Sequence, residues 1–438
     1  MSECREKMNH WYSEYKRKTI FDRAVPNIMD GLKPVQRKIL FTALNNLSSG
    51  KAMNTGAFSG TVKAEANYHH GDSSRDGAII ALTSTFSNQV PMFVGEGNFG
   101  SRIENAAAAT RYTSVKLNPE YSKYLVMKEI LQFTPQDDNN EYEPDYYLFS
   151  IPIVLVNGIS GIAVSLKTDI LGYSVTDIKN NVKRVLSGKK PKKMVPYFPE
   201  FSGKVVEIDE NVSGSWSQIG IVKKESSTQL RITEIPTCYD RSKYISVLQS
   251  IKDKGIISNY DDESTENFNI SVSVTRKQME KLESYGIEKA LGLIHKVREG
   301  IKVLSKDGDK VLEFSSPEDL IVEYVALFLD RINHFISAKS FEYKDLVKAM
   351  EEKILFSEFV SSGIDFTKTS AKKLAEDAAA ETGISFERAK QLISSMTLLS
   401  ITSESIEKYR EQLKELQSKF VYYTEEATPE NVYLGMLD

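Results

Sequence analysis

SPEDLIVEYVALFLDRINHFISAKSFEYKDLVKAMEEKILFSEF, residues 316–359, is the stretch from which the architecture is best read. Ser316 is placed to cap a helix. Pro317 fits its first position, where a missing N–H costs nothing, and Glu318 and Asp319 put negative charge beside its positive end. Ile321, Val325, Phe328, Ile332 and Phe335 then recur by four and three, the spacing of a helix that buries one stripe. At 1.5 Å per residue the segment spans roughly 60 Å, longer than a compact domain requires. Such a helix needs a partner for its stripe, and Ile406, Tyr409, Leu413, Leu416 and Phe420 repeat the spacing near the C-terminus. The two predict an antiparallel pair of coiled helices with a small helical cap over 362–401. The apolar SMTLLSI segment of that cap (395–401) is either a dimer contact or part of the cap's own core.

Towards the N-terminus the pattern changes. From about 146 to 315, strand-like runs such as GKVVEI, QIGIV, QLRITEI and FNISVSV alternate with amphipathic helices near 176–187 and 241–254. A hairpin turning through SKDGDK (305–310) closes this α+β module. From about 20 to 145 short helices are joined by Gly-rich turns. Pro34 opens one that runs through VQRKILFTALNN, and Asp72, Ser73 and Ser74 can cap another through GAIIALTSTF. Two closely spaced helices are compatible with a helix-turn-helix. The final ATPENVYLGMLD is expected to be a short tail.

A chain of 438 residues exceeds what one hydrophobic core normally supports. With 41% hydrophobic and 26% charged residues it has the composition of a soluble globular protein rather than a disordered one. The longest apolar stretch, IPIVLVNGISGIAV, is broken by Asn157, Gly158, Ser160 and Gly161 and is too short to span a bilayer. MSECREKMNHWYSEYKRK lacks the apolar centre of a signal peptide. A cytoplasmic protein is expected. Cys4 and Cys238 lie far apart, with no CxxC or His cluster, which suggests neither a disulfide framework nor a zinc site. The net charge of -4 argues against a surface that binds polyanions everywhere. Basic residues nonetheless cluster in YKRK (15–18), KPVQRK (33–38) and KRVLSGKKPKK (183–193), each either a local phosphate-binding groove or a solvated face.

The sequence has no GxxxxGK[ST] phosphate loop, GxSxG elbow or HExxH pair, and no plausible GxGxxG dinucleotide turn. Five other motifs follow one another instead: RAVPNIMDGLKPVQRK (23–38), YHHGDSS (68–74), EGNFGS (96–101), AAAATRYT (106–113) and VNGISGIAVSLKTDI (156–170). In content, order and spacing they resemble the breakage-reunion subunit of type IIA DNA topoisomerases. That family includes the gyrase A subunit, its topoisomerase IV counterpart, the C-terminal half of eukaryotic topoisomerase II and the medium subunit of T-even phage enzymes. The YHHG spelling is more like the eukaryotic and phage members. RAKQLISSMTLLSITSESIEKYREQLKEL (388–416) is similar to the helices that close the family's exit gate.

The resemblance implies an α+β multidomain fold: an N-terminal arm (1–20), a winged-helix, helix-turn-helix DNA-cleavage domain (21–145) and an α/β tower (146–315). Antiparallel coiled-coil arms (316–361 and 402–422), a helical exit-gate dimerisation domain (362–401) and a C-terminal tail (423–438) complete it. Tyr112 is the implied nucleophile. A tyrosine hydroxyl beside cations suits attack on a phosphodiester, giving a phosphotyrosine that conserves the bond energy for religation. A free tyrosine titrates near 10, and Arg111 next to it can stabilise charge on the phosphate in the transition state. By resemblance Arg23 and His70 complete the phosphate-handling group, either orienting the scissile phosphate or assisting proton transfer. Lys33, Arg37 and Lys38, around a helix N-terminus, are expected to contact DNA phosphates without sequence preference, together with Ser73. Ile170 matches the family's apolar wedge, an exposed tip that inserts between base pairs and bends the cut segment. Leu171 and Gly172 stand where the gyrase type has two prolines.

The family picture is a homodimer that cuts double-stranded DNA, each Tyr112 taking a 5′ phosphate, and passes a second duplex through the gap. The sequence holds neither an ATP site nor the Glu plus DxD acidic cluster. Mg²⁺ and ATP are therefore expected on a partner subunit resembling gyrase B, with none bound by this chain alone. The chain stops after the exit-gate helices without the wrapping domain of gyrase, from which relaxation, decatenation and unknotting are expected rather than supercoiling. Gly77 replaces the acidic residue that supports quinolone binding in bacterial relatives, so weak inhibition is expected. The compact length and phage-like spelling suggest a virus acting in its host's cytoplasm. A noncatalytic DNA-binding scaffold would share the basic patches and coiled helices, but has no chemical reason to keep Arg23, His70 and the RYT tyrosine.

Overall fold

The segment that opens the sequence reading is a single helix, Pro317–Ser361, in a computed structural model that describes residues 2–68, 71–135, 142–209, 214–363, 369–397 and 401–437. Ser316 caps it, its Oγ accepting from the Asp319 N–H at 3.2 Å. Ile321, Val325, Phe328, Ile332 and Phe335 are all buried, the stripe their spacing predicts. The architecture is α+β. The chain divides into two compact units, Met1–Phe328 with Met436–Asp438, and Leu329–Gly435.

In the first unit, α1 (Ser2–Thr19) ends in one π-helical turn, Ile20–Ala24. Helix α2 (Pro34–Asn46) begins at Pro34, and the Lys33 N–H donates to Gln36 Oε1 at 2.9 Å. Then follow β1 (Met53–Asn54), α3 (Thr55–Glu65), α4 (Asp72–Thr83), β2 (Phe93–Glu96) and β3 (Ser114–Leu117), the strands forming an antiparallel sheet in the order β1-β3-β2. Phe58 of α3 and Phe93 of β2 meet edge to face at 5.5 Å within its core. Two details differ from the sequence reading. The Gly-rich segment 55–65 is a helix, because Asn54 caps it and Phe58 and Val62 bury fully. Helix α4 is capped by the backbone of Gly71, so Asp72, Ser73 and Ser74 lie in its first turn rather than ahead of it.

After α5 (Pro119–Ser122), the β4 (Phe133–Pro135) and β5 (Tyr142–Pro144) pair and α6 (Ile153–Asn157), a tight hairpin of β6 (Ile159–Ala163) and β7 (Leu166–Ile170) leads to α7 (Val175–Leu186). The central layer holds β8 (Lys204–Glu207), β9 (Ser215–Ile219), β10 (Ile221–Lys224), β11 (Gln229–Glu234), α8 (Arg241–Asp253), β12 (Asn259–Asp262) and β13 (Ile270–Ser273). It continues with α9 (Arg276–Tyr285), α10 (Ile287–Ala290), β14 (Ile294–Arg298) and the β15 (Ile301–Leu304) and β16 (Val311–Phe314) hairpin. Sheets β10-β11-β13-β12 and β14-β9-β8 are antiparallel. Leu230, Ile232, Ile270 and Val272 pack with Tyr244 and Leu248 of α8 and Met279 and Leu282 of α9. The polar NYDD of β12 gave no strand signal; its pairing with β13 supplies what its side chains do not.

In the second unit, the distal part of the long helix, α11, runs antiparallel to α14 (Ser403–Val421), after α12 (Ala371–Thr382) and α13 (Phe386–Ser395). Arg410 pairs with Glu358 at 2.7 Å, Lys353 lies 3.8 Å from the centre of the Tyr409 ring, and Tyr343 stacks on Tyr423 at 5.5 Å. Phe356, Val360, Ala375, Ala378, Ile384, Ala389 and Leu392 form a small core on which Met396 and Ile401 pack. Those two residues of SMTLLSI therefore serve the cap's own core, while 398–400 lie outside the described residues. The expected C-terminal tail is instead a helix, α15 (Pro429–Leu437), with Tyr433 fully buried. Among the described residues no helix is long and apolar enough to cross a membrane.

Candidate active site

Tyr112 ends a single 3-10 turn, Thr110–Tyr112, and 71% of its surface is exposed. The Arg111 guanidinium lies over its ring, 4.8 Å from the centroid. The turn is bound to the start of α3. The Thr55 N–H donates to the Thr113 carbonyl at 2.9 Å, and the buried Thr113 hydroxyl donates to the Thr55 hydroxyl at 2.8 Å. On the other side Gly97, at φ +104°, approaches so closely that a Cβ would lie 3.1 Å from the Tyr112 carbonyl oxygen. The arm leading into the turn is anchored at buried Arg102, which donates to Glu234 at 3.2 Å and to the Ile235 carbonyl at 2.8 Å. Neither Arg102 nor Asn54, which also grips the turn, carried any sequence signal of its role.

Arg23 is exposed on the π-helical turn and lines a cleft of about 1070 Å³ with Tyr68, Gly71 and Ser74. Burial raises the pKa of the Tyr68 hydroxyl, opposed by the charges of Arg75 and Arg23, which shares the cleft with Tyr68. His70 lies outside the described residues. Arg75, 4% exposed, locks the two helices around that loop: it donates to Ser59 of α3 at 2.7 Å, pairs with Asp72 at 3.2 Å and lies over Tyr68 at 5.5 Å. Ser73 is exposed in the first turn of α4, where its neighbour Asp72 complements the helix dipole.

Two of the three cations expected to contact phosphates are paired within the protein. Arg37 donates to both oxygens of the fully buried Asp30, at 2.6 and 3.1 Å, and to the Leu32 carbonyl at 3.3 Å. Burial disfavours the charge on Arg37, but Asp30 more than offsets this and its pKa is raised. Lys38 donates to Glu143 and, at 2.7 Å, to the Ala66 carbonyl. Both cations hold α2 in place, and both line the cleft that Arg23 lines. Lys33 differs. It lies at the helix start with Nζ donating to the Ser160 carbonyl at 2.6 Å, a bond that uses one of an ammonium's three donors; burial lowers its pKa.

The wedge assignment is also corrected. Ile170 pairs with Ile159 at the foot of the β6–β7 hairpin and is 3% exposed, because strand alternation turns it inward with Thr168. Ile162, on the opposite face near the hairpin's tip, is 78% exposed. The inner face is pressed against the Arg23 segment, for a Cβ on Gly161 would lie 1.9 Å from the Ala24 carbonyl oxygen. At the foot, Glu299 accepts from the Leu171 N–H at 2.9 Å and the Tyr173 hydroxyl at 2.6 Å. The hairpin is thus held along its inner face and at its foot, with an apolar side chain exposed near its tip.

A family profile described as the A subunit of DNA gyrase/topoisomerase IV matches residues 23–437. The chain is 33% identical over 418 residues to the DNA topoisomerase medium subunit of Enterobacteria phage T4, covering 93% of this chain and 92% of that protein. It is 28% identical over 363 residues to DNA topoisomerase 2 of Penicillium chrysogenum, covering 80% of this chain but 22% of the fungal protein. Among solved structures, the Plasmodium falciparum topoisomerase II DNA-binding, cleavage and re-ligation domain superposes with a TM-score of 0.86 at 26% identity, over 98% of this chain and 62% of that one.

Proposed function

The chain belongs to the family of DNA gyrase and topoisomerase IV A subunits, and from that premise we propose that Tyr112 is the residue through which it cuts and rejoins DNA. The Tyr112 hydroxyl oxygen attacks the scissile phosphorus, a phosphotyrosyl bond to the 5′ end forms and the 3′ hydroxyl departs. Return of that hydroxyl reverses the step without loss of bond energy. The observation that carries this reading is the exposed Tyr112 on a turn fixed from two sides, with Arg111 over its ring to stabilise charge on the phosphate. Arg23 in the adjoining cleft supplies a second cation, and His70 is assigned to the same group by resemblance.

In this reading α3 and α4 with the sheet β1-β3-β2 form the winged helix, the central layer is the tower, and α11 with α14 are the coiled-coil arms that carry the α12–α13 exit gate. Supporting it are the buried stripe of α11 and the antiparallel contacts from Glu358–Arg410 to Tyr343–Tyr423. Lys33 and Ser73 contact phosphates, and the wedge is Ile162, a large apolar side chain exposed on its hairpin. Two chains act as a dimer on double-stranded DNA. Among the described residues no group of three or more His, Cys, Asp or Glu side chains could hold a metal ion. By family resemblance Mg²⁺ and ATP are assigned to a gyrase B-like partner subunit, and the complex to the cytoplasm, that of a host if the source is viral. Relaxation, decatenation and unknotting are the assigned outcomes, and introduction of negative supercoils by a reconstituted complex would overturn that part.

The deciding experiment incubates the chain with its partner subunit, Mg²⁺ and end-labelled plasmid, then traps with detergent. Protein joined to 5′ ends in wild type and absent in Tyr112→Phe is the expected result. A complex that binds DNA but yields no adduct would favour a scaffold.

A further inference from the structure

Asn54 stands immediately before α3, and its side-chain amide serves two elements at once. Oδ1 accepts from the Gly56 and Ala57 N–H groups at 3.1 and 3.2 Å, which caps the helix. Nδ2 donates to the Arg111 carbonyl at 3.0 Å and to the Thr113 carbonyl at 3.1 Å, one on either side of Tyr112. An asparagine amide offers two donors and two acceptor lone pairs, and all four are engaged here. Two backbone N–H groups on one side and two carbonyls on the other also admit only one orientation of the amide.

We propose that Asn54 is a positioning residue for the cleavage reaction, fixing the backbone on both sides of Tyr112 to the start of α3; the proposal rests on the reading of Tyr112 as nucleophile. Helix α3 is a rigid base for such a clamp, since Thr55, Phe58 and Val62 are fully buried. Tyr112 needs one, because a ring that is 71% exposed takes its direction from its backbone more than from packing. The neighbouring Thr113–Thr55 hydroxyl bond supports only the C-terminal side of the turn. The bond to the Arg111 carbonyl reaches the N-terminal side, where the guanidinium that accompanies the ring also originates.

Helix cap and clamp can be separated by substitution. Serine or aspartate keeps an oxygen able to cap α3; aspartate has no donor for the two carbonyls, and serine has one short O–H in place of the two amide N–H donors. Asn54→Ser and Asn54→Asp are made in the full chain, reconstituted with the ATPase and metal-binding subunit. Thermal midpoint, DNA affinity and the rate of covalent complex formation at saturating DNA are then measured beside wild type and Tyr112→Phe. For Asn54→Ser the expected result is an unchanged midpoint and affinity with a rate lowered about 10- to 100-fold, the cost of misplacing a reacting group by roughly 1 Å. Asn54→Asp gives the same rate loss with the cap retained, so poor folding of one variant leaves the other to decide. An adduct that persists in Tyr112→Phe removes the nucleophile reading itself. An adduct lost in Tyr112→Phe but formed at wild-type rate by both Asn54 variants overturns the positioning role alone. A rate loss matched by a falling midpoint and falling affinity marks a merely structural role and overturns it too.

Discussion

Arg37→Ala separates two readings of the same cation. Asp30 is fully buried and its carboxylate accepts from the Leu32 N–H at 3.0 Å, the Tyr147 N–H at 3.2 Å and two guanidinium nitrogens of Arg37. Removing one partner of a buried ion pair leaves the other charge uncompensated, which costs about 3–5 kcal/mol. Two backbone donors remain on Asp30, which favours the lower figure, about 3 kcal/mol. For a unit of this size each kcal/mol moves the midpoint by about 2 °C, so the first thermal transition should fall by about 6 °C. Arg37→Lys, which keeps the charge but not the planar fork, should recover part of the loss. DNA affinity measured from low to high salt supplies the contrast: a lost phosphate contact would reduce the slope of log affinity against log salt by about 0.9. The expected slope is that of wild type. A variant with an undisturbed midpoint and a slope lowered by one contact would refute the ion-pair reasoning.

Two further outcomes test the hairpin. Ile162→Ala should change stability by less than about 0.5 kcal/mol, because the side chain is 78% exposed, yet reduce DNA bending and cleavage; Ile170→Ala, 3% exposed, should cost about 2–4 kcal/mol. Paired melting curves and a bending assay read both, and a stable Ile170→Ala would contradict its burial. Burial, with Glu318 and Asp169 adding to it against the Tyr173 and Leu171 hydrogen bonds, raises the Glu299 carboxyl from 4.5 to about 7. The fold thus favours the protonated form, and the stability this contributes is complete below about pH 4.5 and lost as pH rises through about 7. Wild type should lose more thermal stability than Glu299→Gln between those values; equal losses would exclude Glu299 as the source.

What could be read from sequence was what depends on near neighbours. Pro34 and the Ser316-Pro317 start mark helix ends by bonds within one turn, and the Ile321 to Phe335 stripe follows from spacing alone. Tyr112 and Arg111 needed only adjacency to be placed together. Charge partners elsewhere in the chain were not legible: Lys38 meets Glu143, which no local pattern connects to it. The start of α3 was hidden because Gly56 and Gly60 are poor helix formers, while the Asn54 cap and the buried Phe58 make a helix. The wedge at Ile170 rested on resemblance alone, although alternation along β7 already places it on the face shared with Thr168.

The Arg102 anchor has a consequence for synthesis. Its carboxylate partner, Glu234, lies 132 residues further along the chain. At about 5–20 residues per second the ribosome needs on the order of 10 s to reach it. During that interval the arm leading into Tyr112 has been made and its outer fastening has not, so Tyr112 is synthesised before the frame that holds its arm, and the central layer must fold before that arm is fixed.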